Sequence, residues 1–371
     1  MLGRAFIASG IDVTVLCLVP LHEKSDGNLE VRGSHFGISY EYTSGTTRRN
    51  DSFLLRRWYR AKGILKAFYR IISSKCQRRI DCLYIYDRSY GISYVDLACI
   101  VLARVLGIPV AREMNELPWA LKSSRSPAER RISPLWGVDG IVAISDRIQE
   151  WAVAESRRLG KNKVVVHVPI LADVNEVEPA EERDGEPYVL FAGSAEYVDI
   201  IVFILDAMET VWRHHPECRL YLTGFAKEDK RAGRVLSELG RRVTGRVRVC
   251  GYLARQDFVS ILSKAKALLI PLPDDDVSRA RFPTKIGEYL SASVPVVTSR
   301  VGEIPRYLYD GENAFVAEPG DPSAFGEKIL ECLDDPERAH AVGLRGRKTA
   351  ESVFHYEAYT KTLGRFVGNI T

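Results

Sequence analysis

No apolar run in these 371 residues reaches the length needed to cross a bilayer, and the first residues lack the pattern of a cleavable leader. Cysteine is sparse and unpatterned. Cys17, Cys76, Cys82, Cys99, Cys218, Cys250 and Cys332 are odd in number, scattered, and never spaced C-x-x-C. This argues against a disulfide framework and a cysteine zinc site and fits a reducing compartment, so the expected location is cytoplasmic. The 7 histidines show no metal-ligand spacing either, and His214-His215 closes a helical stretch. Charge of one sign is missing overall: 52 Lys+Arg against 48 Asp+Glu leave a net charge of only +4. There is no low-complexity tract, no short repeat and no nucleic-acid-binding motif, so nucleic acid is not an expected partner.

What is present is ordinary globular composition, 46% hydrophobic and 27% charged, in a chain long enough for two cores. Strand-like apolar runs alternate with helical ones, the rhythm of a parallel α/β architecture. In the first half, strands are expected at 12–19, 81–86, 108–114, 139–144 and 164–169, with a further strand within 29–42. Helices are expected at 53–78, 94–106 and 146–159. An acid-rich linker at 173–186 separates this half from a second one that restarts the rhythm. There, strands are expected at 187–192, 218–223, 246–250, 267–271 and 294–298, and helices at 198–213, 231–241, 257–264 and 284–291. Beyond Pro322 the chain reads as helical, with a break near 334–336. The expected domains are 1–175 and 176–354, with 355–371 a helix packing back toward the first.

The basic charge is local. Residues 48–79 hold Arg48, Arg49, Arg56, Arg57, Arg60, Lys62, Lys66, Arg70, Lys75, Arg78 and Arg79 against Asp51 alone, interleaved with Phe53, Leu54, Trp58, Leu65, Phe68, Tyr69 and Ile72. A basic, aromatic, amphipathic helix suits the surface of an anionic membrane. A core-packed helix with a solvated basic face has the same composition.

The most specific stretch runs from Arg281 to Pro322 and contains P-T-K-I-G-E-Y-L-S-A-S-V-P-V-V. Pro283 opens a helix. Lys285 and Glu288, three positions apart, project from its first two turns. A helix start beside a strand end attracts a phosphate, Lys285 adds a charge-assisted bond, and Glu288 can accept from a ribose hydroxyl pair. An exposed helix with ordinary solvated charges is the bland alternative. The pattern P-x-K-x-x-E-Y-L-x-x-x-x-P-V-V, followed by a glycine turn, D-G-E-N-A-F-V and P-G-D-P, resembles the retaining GT-B glycosyltransferases of the family 4 type.

That resemblance implies an α/β GT-B fold of two Rossmann-like, doubly wound domains facing a cleft. The first would take a carbohydrate or lipid-linked acceptor and the second a nucleotide-diphosphate sugar as co-substrate, with no cofactor and no essential metal. Thr284, Lys285 and Glu288 would hold the sugar donor, and Lys285 would stabilise the leaving diphosphate. Gly193 and Ser194, after an apolar strand, correspond to the loop facing the donor phosphates, although the usual Arg and Lys are replaced by Ala195 and Glu196. Tyr252 and Leu253, after Gly251, match the loop that cups the base. The family's further glutamate, eight positions before Glu288, is Ala280 here. Gly302 and Glu303 form the glycine turn beside the sugar, where Glu303 could take over that contact.

Asp274-Asp275-Asp276 is either a divalent-ion site on a diphosphate or a solvated acidic loop, and the repeated α/β rhythm favours the loop. Arg88, Asn115 and Glu116, at strand ends of the first half, are the acceptor-side candidates, with Glu116 as the base; Glu113 reads as a paired structural carboxylate. Ser145 reads as a helix cap. In the resembling family a strand and a glycine loop precede the first helix. Here 2–10 already reads as that helix and 11–18 as the second strand, so the first strand of the N-terminal domain is expected to be missing. The implied role lies in surface polysaccharide or glycolipid assembly, in the cytoplasm or peripheral at the inner face of the plasma membrane. The alternative is a degenerate, non-catalytic nucleotide-sugar-binding or partner subunit. A nucleotide-sugar epimerase would need carboxylates and histidine around the cleft, and no such set is visible.

Overall fold

The computed structural model describes residues 1–20, 30–86, 92–117, 132–160, 162–180, 185–194, 196–226, 237, 240 and 245–371. The turn holding Arg88 and most of the helix expected at 231–241 lie outside the described residues. The chain divides into two compact units: Met1–Pro169 together with Tyr356–Thr371, and Ile170–His355.

The first unit begins with a helix, Leu2–Ala8, and then strand β1 (Thr14–Cys17). Strands β2 (Arg32–His35) and β3 (Ile38–Tyr42) follow, and β3 pairs parallel to β1 and antiparallel to β2. Within 29–42, where one strand was expected, residues 32–42 therefore form a hairpin. Its two-residue turn is Phe36-Gly37, with φ of 50° and 77°. Two positive φ values make the primed type of turn that matches strand twist. Phe-Gly carries none of the Asn-Gly signal, so the strand-like alternation continues straight through the turn. The other sheet of this unit is all parallel, in the order β4 (Leu83–Ile85), β5 (Val110–Met114), β6 (Gly140–Ala143), β7 (Val164–His167). β6 is buried along its whole length, which is why it reads as a plain apolar run. The helix Thr360–Ile370 packs on β6 and β7 and on Leu2–Ala8, burying Leu363 and Phe366.

The long helix Phe53–Cys76 turns Gly63, Ala67 and Ile71 inward. Its neighbour on β3, Glu41, is only 6% exposed. Arg32 donates to Glu41 Oε1 from Nε at 3.0 Å and from Nη2 at 2.8 Å; Lys66 lies 2.7 Å from the same oxygen, and Arg70 Nε donates to Oε2 at 2.8 Å. Burial alone would push this carboxyl up, but the bonds from Lys66, Arg32 and Arg70 prevail and hold it at about 2.

The second unit contains β8 (Tyr188–Ala192), β9 (Arg219–Thr223), β10 (Val247–Gly251), β11 (Ala267–Ile270), β12 (Val296–Ser299) and β13 (Phe315–Ala317). They form one parallel sheet in the order β10-β9-β8-β11-β12-β13. Helix Val198–His214 lays Ile201, Ile204, Leu205 and Met208 over Val189, Leu220, Leu222 and Leu269 of the sheet. It packs against helix Pro322–Asp334, where Phe203 meets Phe325 edge-on at 5.5 Å between ring centres. Each side chain so buried contributes about 1.5–3 kcal/mol. β13 was not expected as a strand: three residues between the D-G-E-N and P-G-D-P turns are too few to show a period.

Glu41→Gln tests the buried charge cluster. A carboxylate with a depressed folded pKa gives its full stabilisation above the unfolded value and loses it as pH falls through the folded one. The difference in unfolding free energy between native chain and variant is expected to be about 3 kcal/mol near neutrality and to shrink as pH falls from the usual carboxylate range toward about 2. Denaturant unfolding over a pH series measures it.

Candidate functional site

In the sheet of the second unit the strand order reverses at β8, which has β9 on one side and β11 on the other. Ligands of open parallel sheets bind outside the carboxyl ends of the strands at such a switch point. Three glycine-containing ends meet there. Gly193 N donates to Thr223 O at 2.9 Å, Gly224 N to Gly251 O at 3.1 Å, and Thr223 Oγ1 to the same Gly251 oxygen at 2.7 Å. Gly224 has a φ of +94°, and a Cβ there would lie 2.8 Å from Gly193 O. Only glycine satisfies both conditions. The result is a ledge of glycine backbone at the strand ends, and Ser194 stands exposed beside it.

The helix Lys285–Ser291 is set against this ledge. Ile286, Gly287, Tyr289 and Leu290 are buried, and the Tyr289 hydroxyl accepts from Ala192 N at 3.0 Å. Burial pushes the phenol of Tyr289 far above its ordinary value, so it stays neutral. With that face fixed, Lys285 and Glu288 are left half-buried, and Thr284, just ahead, is exposed. Burial lowers the Lys285 ammonium below the usual lysine range, and the nearby Glu288 charge works against that.

Glu288 is held by a residue that the sequence did not single out. Arg255 Nη1 donates to Glu288 Oε1, and Nη2 of the same guanidinium lies 3.3 Å from Glu176 Oε2. Arg255 opens the helix Arg255–Ser263, directly after Gly251-Tyr252-Leu253. Its partners lie 33 and 79 positions away, and no local pattern encodes such a pair. The bond draws the 251–253 loop to the helix that carries Lys285. Tyr252 is 71% exposed, an aromatic face offered to solvent next to the half-buried Leu253.

At the end of β12, Gly302 has a φ of +58°, and a Cβ would stand 2.8 Å from Ser278 O. Glu303, next along, is buried with Oε2 3.9 Å from Arg306 Nη1. Ala280 is fully buried. The acidic triplet has structural work: Asp274 pairs with Arg279 through two bonds of 2.6 and 2.8 Å, and Asp275 caps the helix Asp276–Ala280 by accepting from Ser278 N at 2.7 Å.

Gly193, Ser194, Tyr252, Leu253, Thr284, Lys285, Glu288, Gly302 and Glu303 thus all follow strands of one sheet or lie on the helix beside its strand ends. Asn115 and Glu116 belong to the first unit, where they follow β5 and are half-buried. Glu113, on β5, is raised by burial, with bonds from Asn115 and Tyr84 acting against the rise. Ser145 Oγ accepts from Ile148 N at 3.2 Å, a helix cap. Arg88 lies outside the described residues.

Residues 186–335 match the family described as Glycosyl transferases group 1. The matched stretch falls within the second unit. A GDP-mannose-dependent monoacylated alpha-(1-6)-phosphatidylinositol monomannoside mannosyltransferase of Corynebacterium glutamicum is 25% identical over 218 residues, covering 53% of this chain and 54% of the relative. The chain spans about half the length of the curated relatives it matches. Among solved structures, the sucrose-phosphate synthase of Thermosynechococcus elongatus superposes with a TM-score of 0.71 at 18% identity, covering 99% of this chain and 91% of that one. HepE of Anabaena, solved with UDP-glucose, gives 0.67 at 13% identity over 90% of this chain and 87% of its own. The fold is therefore GT-B, as the sequence resemblance implied.

Within the matched stretch, Tyr289→Phe removes the acceptor from a buried amide while leaving the packing intact. An unsatisfied buried group costs about 1–3 kcal/mol. The expected result is that loss in unfolding free energy, with faster hydrogen exchange at the Ala192 amide.

Proposed function

We propose that the chain is a glycosyltransferase that moves a sugar from a nucleotide-diphosphate donor, bound at the strand ends of the second unit, to a carbohydrate or lipid-linked acceptor. The observation that carries this is the placement of Lys285 and Glu288 beside the Gly193 ledge, fixed by the Tyr289–Ala192 bond. Lys285, being protonated, would hold the diphosphate and stabilise its negative charge as the glycosidic bond breaks. Glu288 would accept from the ribose hydroxyls, with Arg255 fixing its carboxylate. The exposed Tyr252 ring would cover the base. Glu116 is the base proposed on the acceptor side, and Arg88 and Asn115 are proposed to contact the acceptor with it.

The reaction is proposed to be retaining, without an essential metal, and to serve surface polysaccharide or glycolipid assembly in the cytoplasm. Names among the relatives support that class, including the Corynebacterium mannosyltransferase and an O-antigen chain mannosyltransferase B of Escherichia coli. A second reading, a nucleotide-sugar binder without transfer activity, is favoured by Ala280: the position of the family's further glutamate is a buried alanine.

Calorimetric titration with UDP, GDP and ADP, with and without magnesium, tests the donor site. One nucleotide is expected to bind equally well in both conditions, and Glu288→Ala to weaken it at least about tenfold, or 1.4 kcal/mol. Affinity is expected to fall on the alkaline side earlier than for an ordinary lysine, because only the charged Lys285 pairs with phosphate. Absence of nucleotide binding by the folded chain would overturn the proposal. Binding without sugar transfer to any acceptor would favour the second reading.

A further inference from the structure

We propose that the helix Phe53–Cys76 is a docking face for an anionic lipid bilayer. Composition alone left this open, since a core-packed helix with a solvated basic face reads the same way. The structure separates the two, because it shows which side of the helix is spent on the fold. Gly63, Ala67 and Ile71 face inward, and Lys66 and Arg70 are drawn to Glu41 on β3. Much of what remains outside is apolar. Leu54, Trp58, Leu65, Tyr69 and Ile72 are 75%, 64%, 68%, 65% and 41% exposed.

Their spacings of four, seven, four and three residues put all five on a single stripe of a 3.6-residue helix. Scattered exposed leucines are ordinary, but a continuous stripe of large apolar side chains along one helix marks an interaction surface. At 100° per residue the exposed Arg57 and Lys62 fall on its two borders. The Arg57 guanidinium lies 4.7 Å over the Phe53 ring, which leaves it at the apolar edge. Arg48 and Arg49 are exposed just ahead of the helix, and Asp51 is the sole acidic residue across 48–79.

An apolar centre bordered by cations matches the boundary between acyl chains and anionic headgroups. A second copy of the chain fits poorly, since two-fold pairing of this stripe would set Arg57 and Lys62 among their own copies. Nucleic acid fits poorly too, since phosphates would meet Trp58 and Leu65 at the centre of the face rather than cations. No helix among the described residues is long and apolar enough to cross a membrane, so the contact proposed is with the surface. The proposal stands apart from the sugar-donor site, which lies in the other unit.

The test is flotation of the full chain with vesicles of phosphatidylcholine alone, or with about one third phosphatidylglycerol, over a salt series. The chain is expected to partition onto the anionic vesicles at least about tenfold more than onto neutral ones and to come off as salt rises. Trp58→Ser with Leu65→Ser is expected to lower that partition by at least about tenfold, and Arg57→Gln with Lys62→Gln to abolish the anionic preference. All four positions are exposed, so circular dichroism and nucleotide binding of the variants should match the native chain. Partition untouched by Trp58→Ser with Leu65→Ser, or equal on both vesicles, would overturn the proposal. So would a dimer that these changes dissolve, or stronger retention on duplex DNA than on vesicles.

Discussion

One hydrogen bond, from the Ala192 amide to the Tyr289 hydroxyl, ties the helix Lys285–Ser291 to the end of β8, and the candidate site is arranged around it. Ala192 is the last residue of its strand, so its amide has to find a partner beyond the sheet's own ladder. A phenol can serve because burial keeps it neutral, with a lone pair to offer. Once Tyr289 is seated, helical geometry settles the rest. Lys285 lies one turn ahead of Tyr289 and Glu288 immediately before it, and both stand half-buried at the rim while Ile286 and Leu290 fill the core. The neighbouring end is secured from below: Arg347 donates to the carbonyls of Ser291 and Val177, clasping the end of this helix to the stretch that enters the unit.

Much of this was legible in the chain because it is written locally. Strands such as Ala267–Ile270 and Val296–Ser299 are buried on both faces and announce themselves as continuous apolar runs. Pro283, Lys285, Glu288 and the following apolar strand sit within a few turns of one another, so one motif carried them together. What escaped is written at a distance or in very few residues. Arg255 acquires meaning only when folding brings it to Glu288 and Glu176. The Phe36-Gly37 turn breaks a strand-like alternation with two backbone angles, and no side-chain pattern reports those. β13 and the helices Asp276–Ala280 and Ile304–Tyr307 are too short to complete a recognisable period.

The first unit shows the same division between local and distant information. A run of basic residues at 48–79 is plain in composition, but its members do unlike things. Lys66 and Arg70 join Arg32 in neutralising a carboxylate that would otherwise be costly to bury, while Arg57 and Lys62 face outward. Only the hairpin that carries Glu41 decides which cations are which. The long helix owes its orientation to a charge cluster on one side and to small residues, Gly63 and Ala67, on the other.

The first unit is also discontinuous, being completed by Tyr356–Thr371 after the whole of the second. Leu363 and Phe366 of that returning segment are buried, and a Cβ at Gly140 would stand 2.7 Å from the Phe366 ring, so the segment lies directly on β6. During synthesis, β4 to β7 therefore leave the ribosome long before their covering helix exists. The last segment of the chain is therefore needed to bury the apolar face of the first-made unit.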